Sequence, residues 1–485
     1  MVVGELRHGQ LVIIDRLKET VRLSEGLEET GELTVAARGR ALECLSRFGE
    51  RLRHIHASNV RAAGTSTFRR AKNSHLFCKQ AEHALGQPLE IISGLEEARL
   101  IYAGVTHSTP PHDGSRLVLD IGGGSTELIL GQSNEPRALE SLHMGCVIMT
   151  ERYFRGGRIS LSAFDQARLA VRLKLRPVKA FFRDTPDIEA IGTSGTIRAT
   201  ETVARELGIV EADLTRNAVE QLIERVCEFD VIESISLPGL PDRRAQVWPG
   251  GLAILVELLG VLRIDRLKTS DGALREGLLY DSLGRLQHED ARERSVQALA
   301  RRYNIDHEQA RRVTDTAIGL LRQSSGDWGL TSSLATSMLK WSALLHEIGL
   351  DISHDGFQRH GAYIAANADL PGFPRAEQQF LAFLIASQRR HIDEGLCNEL
   401  PSKWRAEALR LSIVLRLAVL LNRSRSQVSL PGIEFNTSKT GVTLGFPDGW
   451  LEQNPLTRAD LAREKDYLDN SGYALSVRAP GETSG

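Results

Sequence analysis

Leu117-Val-Leu-Asp-Ile-Gly-Gly-Gly-Ser-Thr-Glu-Leu-Ile-Leu130 is the stretch whose reading decides the architecture. An apolar run ends in Asp120; three glycines, Ser125 and Thr126 follow, then Glu127, then a second apolar run. Both runs are rich in Val, Leu and Ile and too short for helices, so they read as buried strands joined by a turn. A nucleotide loop that opens a helix, of the GxGxxG or GxxxxGK[ST] kind, does not match. Consecutive glycines let the backbone turn tightly and approach a ligand. Their free N–H groups form an anion-binding concavity. Asp120 and Glu127 flank it with hard oxygen ligands suited to Mg²⁺. The competing reading is an ordinary Gly-rich turn with solvated acids.

Working outward, residues 1–104 alternate strand and helix signals. Strands are predicted at Val2–Val3, Leu11–Ile14, within 59–65 and at Leu89–Ile92, and helices at Thr34–Leu52, from Thr67 and from Glu96. Residues 105–284 repeat the style, with strands at 117–121, 126–130, 188–192 and 264–269. Two such blocks imply an α/β fold with two lobes, and folds of this kind place ligands at the carboxyl ends of strands. From about 285 the pattern turns helical: 289–421 carries few strand signals, broken by Pro371-Gly-Phe-Pro374. Residues 429–485 read as a small mixed tail, with a hairpin from Ile433–Asn436 and Val442–Phe446 and a disordered end over roughly the last ten residues. The expected domains are therefore 1–104, 105–284, 285–428 and 429–485.

Composition sets bounds. The 485 residues are 41% hydrophobic and 25% charged, ordinary for a soluble globular chain. No apolar run reaches the roughly 18 residues of a membrane span, so any membrane association is expected to be peripheral. Met1-Val-Val-Gly-Glu-Leu-Arg-His8 lacks a signal-peptide pattern. Cys44, Cys78, Cys146, Cys227 and Cys397 are scattered and never spaced CxxC, which argues for reduced thiols in the cytoplasm and against a zinc ribbon. The net charge of −2 provides no global basic field, so nucleic acid is not an expected partner and any polyanion site is local.

Further strand-to-turn junctions repeat the chemistry of the glycine loop. Gly64-Thr-Ser-Thr-Phe-Arg69 sets hydroxyls before an arginine in the first turn of a helix, where anions are favoured. Ser93-Gly-Leu-Glu-Glu97 puts two acids at another helix start. Ile191-Gly-Thr-Ser-Gly-Thr-Ile197 and Ser270-Asp-Gly-Ala-Leu-Arg-Glu-Gly277 are further Gly/Ser/Thr junctions. Each alone is more often a structural turn.

Taken with Ile91-Ile-Ser-Gly-Leu-Glu-Glu-Ala-Arg-Leu100 and Met144-Gly-Cys146, these motifs resemble the Ppx/GppA phosphatase family, within the actin/hexokinase/Hsp70-like superfamily. The resemblance covers nearly the whole chain. It implies two actin-like (ribonuclease H-like) lobes, then an HD-like helical domain and a small C-terminal α+β subdomain. It implies Glu97 as the base that activates water, with Glu96 as the competing candidate. It implies Mg²⁺ at Asp120 and Glu127, and phosphate bound by Arg69, Gly122, Gly123, Gly124, Ser125, Ser194, Gly195 and Thr196. Neighbouring carboxylates would raise the Glu97 pKa and the helix N-terminus would lower it.

The implied reaction is in-line hydrolysis of a phosphoanhydride. The triple glycine and His354-Asp-Gly-Phe-Gln-Arg-His360 lean towards an exopolyphosphatase that releases orthophosphate processively from inorganic polyphosphate. The alternatives are a guanosine pentaphosphate (pppGpp) phosphohydrolase and a non-catalytic polyphosphate- or alarmone-binding homologue. A sugar-kinase-like enzyme is disfavoured, because Glu97 offers water activation and no sugar-pocket signal is present. A homodimer is the expected assembly.

Two segments carry less certain chemistry. Leu344-Leu-His-Glu-Ile-Gly-Leu350 resembles a His-Asp metal signature with Glu347 in place of Asp, followed by His354 and His360; a packing domain with vestigial histidines is the favoured reading. Arg405, Arg410, Arg416, Arg423 and Arg425 read either as snorkelling side chains, which is favoured, or as a basic wall that threads polyphosphate.

Family members open with a further strand and turn, similar to Ala-Ile-Asp-Leu-Gly-Ser-Asn-Ser-Phe, ahead of the Val2–Val3 strand. By the resemblance the site would then miss one carboxylate and one phosphate cradle, and a strand edge would be left unpaired. The expectation is weak or no turnover by the 485-residue chain and recovery on upstream extension. Full Mg²⁺-dependent turnover of polyphosphate or pppGpp by the chain as written would refute it.

Overall fold

The computed structural model describes residues 1–478 apart from 8–9, 20, 24–26, 28–30, 184, 186–187 and 287–289. The chain divides into two compact units, Met1–Asp290 and Ala291–Gly485. The fold is the expected mixed α/β class, with the larger sheet in the first unit and a helical second unit.

The first unit is organised on a five-stranded sheet. Strands β5 (Ser115–Ile121), β6 (Thr126–Gln132) and β7 (Glu135–Leu142) form an antiparallel meander. Strands β8 (Glu189–Thr193) and β9 (Lys268–Thr269) run parallel to β5, in the order β7-β6-β5-β8-β9. The central β5 is buried from Arg116 to Ile121, which explains its continuous apolar run. Strand β7 went unread because Glu135-Pro-Arg-Ala-Leu-Glu-Ser-Leu142 is charged and carries a proline. It lies at the sheet edge, where both are tolerated. The strand expected over 264–269 shrinks to two residues.

Ahead of this sheet, β1 (Val2–Arg7) and β2 (Gln10–Arg16) make an antiparallel hairpin on which Leu6, Val12, Ile13 and Ile14 are exposed. Short parallel strands β3 (Ala62–Gly64) and β4 (Leu89–Ile91) follow, near a small core of Leu27, Leu33, Ala41, Ala71, Phe77 and Ala81.

Two helices cross backbone to backbone beside the main sheet. A Cβ on Gly277 of the helix Leu274–Leu286 would stand 1.8 Å from the Leu100 carbonyl oxygen. A Cβ on Gly104 of the helix Gly94–Ser108 would stand 2.1 Å from the Ala273 carbonyl oxygen. Only glycine permits this approach. A buried ion network reinforces it: Arg99 donates to Glu96 through two 2.8 Å bonds and to Asp281 at 2.6 Å, and Arg61 bridges Asp281 and Glu90.

In the second unit, the helices His307–Trp328, Ser333–Leu344, Phe357–Asn367, Arg375–Ser387 and Ser402–Leu421 share one apolar core. Strands β10 (Glu434–Thr437) and β11 (Gly441–Gly445) form the expected hairpin. Phe435, Val442 and Leu444 point into that same core. Strand β12 (Ala474–Arg478) adds parallel to β11, so residues 476–478 are ordered where disorder was expected; the rest of the expected disordered end lies outside the described residues. No helix among the described residues is long and apolar enough to cross a membrane.

The arginine segment is neither a snorkelling face nor a basic wall. Arg416 is fully buried, paired with Glu464 at 2.5 and 2.9 Å, and donates to the carbonyl oxygens of Ser387 and Arg390. Arg405 and Arg410 bind backbone carbonyls, Arg423 binds Asp460, and Arg425 binds Asp306 and Glu347. A buried arginine with every direction satisfied is what this otherwise apolar helix required. Truncating Arg416 to Ala leaves the Glu464 charge buried and is expected to cost roughly 3–5 kcal/mol. Thermal unfolding would register this as a large fall in Tm, and an unchanged Tm would contradict the assignment.

Candidate active site

The β5–β6 hairpin carries the expected loop. Register places Asp120 directly opposite Glu127, with Cβ atoms about 5 Å apart as in any facing pair. The turn closes through Gly122 N–H donating to the Ser125 carbonyl. The carbonyls of Gly122 and Gly123 are taken by Cys146, Val147 and Ile148, at the start of the helix Cys146–Tyr153. A Cβ on Gly145 would fall 2.2 Å from the Gly123 oxygen, which accounts for the glycine in Met144-Gly-Cys146. Thr126 Oγ1 donates to the Met144 carbonyl at 2.6 Å and fixes the same turn to the sheet.

A second junction approaches this loop from β3. Ser66 begins the short helix Ser66–Arg70, and its Oγ lies 2.9 Å from where a Gly124 Cβ would stand. Arg69, three residues on, donates to Glu97 Oε2 at 3.0 and 3.1 Å and to the Ile92 carbonyl at 2.8 Å. Glu97 is in the first turn of the helix Gly94–Ser108, capped by Ser93 Oγ, which accepts from Glu96 N–H. Ser141 of β7 donates to Glu127 Oε1 at 2.9 Å and presses against Gly94.

This geometry separates the two neighbouring acids. Glu96 is buried with both oxygens on Arg99, inside the ion network. Glu97 faces Arg69, Asp120 and Glu127. Burial raises the Glu97 pKa, and the Arg69 guanidinium and a hydrogen bond from Thr65 oppose that rise without cancelling it. Burial, with Glu97 adding to it, lifts Asp120 to about 7. Burial, then Glu97 and Asp120, pushes Glu127 well up, against hydrogen bonds from Ser125 and Ser141. Burial leads in every case, where sequence reasoning had weighed only neighbouring charge against the helix dipole.

Three buried carboxylates with raised pKa values form a field that a cation relieves. The oxygen donors suit a hard divalent ion. No group of three His, Cys, Asp or Glu among the described residues is arranged to hold a metal alone. That fits an ion carried by one or two carboxylates with substrate phosphates and water. Asp120 and Glu127 are the residues that would hold it.

The third expected cradle lies beside the first. Parallel pairing sets Thr193 next to Asp120, so Ser194, Gly195 and Thr196 open the helix Ser194–Glu206 alongside the glycine turn. Ser194 has a left-handed φ of 83° and a buried Oγ without a hydrogen-bond partner. Strain of this kind concentrates at functional sites. Arg244, which sequence reasoning missed, lays its guanidinium over Gly195, 2.2 Å from where a Cβ would be. Its local context, Asp242-Arg-Arg-Ala245, gave no signal beyond charge. Ser66 stood within a quoted motif without being singled out, and Ser141 had no sequence signal.

In the second unit, His346 is buried, with Nδ1 against the Ala343 carbonyl. Glu347 is paired with Arg425, and His354 is exposed. The residues of the His-Asp-like segment form no metal-binding group.

The model of the Ppx/GppA phosphatase family matches residues 2–286, and that of Ppx/GppA phosphatase domain III matches residues 291–465. The chain belongs to the Ppx/GppA phosphatase family. Members of this family are phosphoanhydride hydrolases that act with a divalent metal. The guanosine-5'-triphosphate,3'-diphosphate pyrophosphatase of Aliivibrio fischeri (strain MJ11) is 36% identical over 479 residues, 99% of this chain and 95% of that protein. The protein of the same name from Aeromonas hydrophila is 37% identical over 473 residues, 98% of this chain and 95% of that protein. An exopolyphosphatase structure from Cytophaga hutchinsonii superposes with a TM-score of 0.52 at 23% identity, covering 58% of this chain and 93% of that one. That likeness concerns the fold. The relatives favour the pppGpp alternative over the exopolyphosphatase that sequence reasoning had placed first.

Glu97→Gln is expected to lower phosphate release by about 10²–10⁴-fold with Tm nearly unchanged. Glu96→Gln is expected to act on folding instead, costing roughly 3–5 kcal/mol. Measuring turnover and thermal unfolding on both variants tests the division, and the reverse pattern would exchange the roles.

Proposed function

We propose that this enzyme hydrolyses the 5′-terminal phosphoanhydride of pppGpp, releasing orthophosphate and leaving ppGpp. The observation that supports it is a cation cluster beside the phosphate loops. The Lys18 ammonium is held below its usual range by burial and then by Arg275, Arg244, Arg243 and Arg198. Arg244 adjoins Gly195, and Arg198 lies one turn into the helix Ser194–Glu206. Like charges gathered this closely are offset when an anion binds among them. A substrate with a second phosphate group, such as a 3′-diphosphate, supplies that anion while its 5′-triphosphate lies in the glycine cradles. The arginines whose alternative reading was a polyphosphate path are committed to carboxylates and carbonyls.

In this reading Arg69, Gly122, Gly123, Gly124, Ser125, Ser194, Gly195 and Thr196 bind the triphosphate. Glu97, with its raised pKa, takes a proton from water as the water oxygen bonds to the terminal phosphorus. The bridging P–O bond breaks in line, and its electron pair stays on the departing phosphate oxygen. A divalent ion at Asp120 and Glu127, proposed as Mg²⁺, supplies charge neutralisation. The five unpaired cysteines support a cytosolic setting.

Incubating the purified chain with pppGpp or with inorganic polyphosphate, each with Mg²⁺, tests the reading. Whatever the absolute rate, orthophosphate and ppGpp are the expected products, with kcat/KM for pppGpp at least about tenfold above that for polyphosphate and loss of the measured turnover on chelation. A preference for polyphosphate would return the assignment to exopolyphosphatase.

A further inference from the structure

A cavity of about 1030 Å³ opens in the first unit beside the glycine hairpin. Ile148 joins the two: it lines the cavity, and its Cδ1 lies 3.9 Å from where a Gly124 Cβ would stand. From Ile148 the wall follows the helix Cys146–Tyr153 to Phe154, an axial rise of about 9 Å. A nucleoside extends over a comparable distance beyond the phosphates that anchor it. Arg155, Gly157, Ile232 and Glu233 also line it, as do Glu151 and Arg152 of the same helix and Gln246, two residues from Arg244. The buried side chains of Phe154 and Ile232 give an apolar floor.

The lining selects among ligands. A polyphosphate has only acceptor oxygens and negative charge, and a carboxylate in its path repels it. A purine prefers an apolar floor with a few polar groups at its edge. Guanine presents two adjacent donors, N1–H and N2–H, that one carboxylate accepts together, and two acceptors, O6 and N7, that one guanidinium grips. Adenine presents neither pair. Glu233 and Arg155 are the two side-chain types that read those two edges. The backbone also positions the carboxylate. Gly156 and Gly157 have left-handed φ values of 63° and 71°, and a Cβ on Gly157 would stand 2.8 Å from Glu233 Oε2.

We propose that this cavity is the guanine subsite. Glu233 accepts from N1–H and N2–H, Arg155 donates to O6 and N7, and the ribose leaves its 3′-phosphates towards Arg244. The assignment rests on the pppGpp reading and adds to it the residues that choose the base.

The experiment compares pppGpp with its inosine counterpart, which lacks the N2 amino group, in wild type, Glu233→Ala and Arg155→Ala. Wild type is expected to favour guanine by about tenfold in kcat/KM, chiefly through KM. Glu233→Ala is expected to bring that ratio close to one while leaving Tm unchanged, because the side chain is exposed. Arg155→Ala is expected to raise KM for both substrates. Equal use of both bases by wild type, or an unaltered preference in Glu233→Ala, would overturn the subsite. A wild-type preference for polyphosphate over pppGpp would overturn the functional reading itself, and that measurement, which does not involve the base, tells the two failures apart.

Discussion

The first unit is organised around the burial of three carboxylates, Glu97, Asp120 and Glu127, within electrostatic reach of one another. Desolvation disfavours their charged forms, the Glu97 charge raises Asp120 and Glu127, and Asp120 raises Glu127 further. Arg69 compensates Glu97 in part. Ser125 and Ser141 hydroxyls compensate Glu127 in part. The remainder is what a divalent cation with phosphate ligands would relieve. An arrangement of this kind is poor for stability and good for function. It raises the proton affinity of Glu97 above that of an ordinary carboxylate, the direction a water-activating base needs.

Such a site needs a rigid frame, and the glycine crossing of the helices Gly94–Ser108 and Leu274–Leu286 provides it. Backbones in contact at Gly104 and Gly277 leave no room for the helix that carries Glu97 to slide. The Glu96–Arg99–Asp281–Arg61 network locks the same helix against rotation. Two adjacent glutamates thus divide the work: Glu96 spends its charge on the frame, so that Glu97 can hold its own beside two other acids.

The sequence made the strands around the glycine loop legible because a buried central strand must be continuously apolar and a tight turn must be glycine-rich. It made the three Gly/Ser/Thr junctions legible as well, since each lies at a strand end. It hid β7, because an edge strand is free to be charged. It hid Ser141 and Arg244 because their roles arise from tertiary proximity: one reaches Glu127 across a strand pair, the other reaches Gly195 from a distant short helix. Arg416 misled for a related reason. An arginine in an apolar run looks like a surface residue until a partner such as Glu464, 48 positions away, is known to meet it in the core.

The choice between substrates turns on where positive charge gathers beside the phosphate loops. A processive polyphosphate enzyme needs a long row of cations whose partners are the substrate. In the second unit the described arginines of the helix Ser402–Leu421 meet carbonyls or carboxylates. In the first unit, the Lys18 ammonium is held below its usual range by burial and then by Arg275, Arg244, Arg243 and Arg198, the last of which also pairs with Asp271. Repulsion held in place by a fold, two residues from a cavity edged with both a carboxylate and a guanidinium, suits a compact ligand with two phosphate groups and a donor-bearing base. A uniform polyanion would satisfy the cations and be repelled by Glu233. A guanosine bearing phosphates at both ends satisfies each in turn.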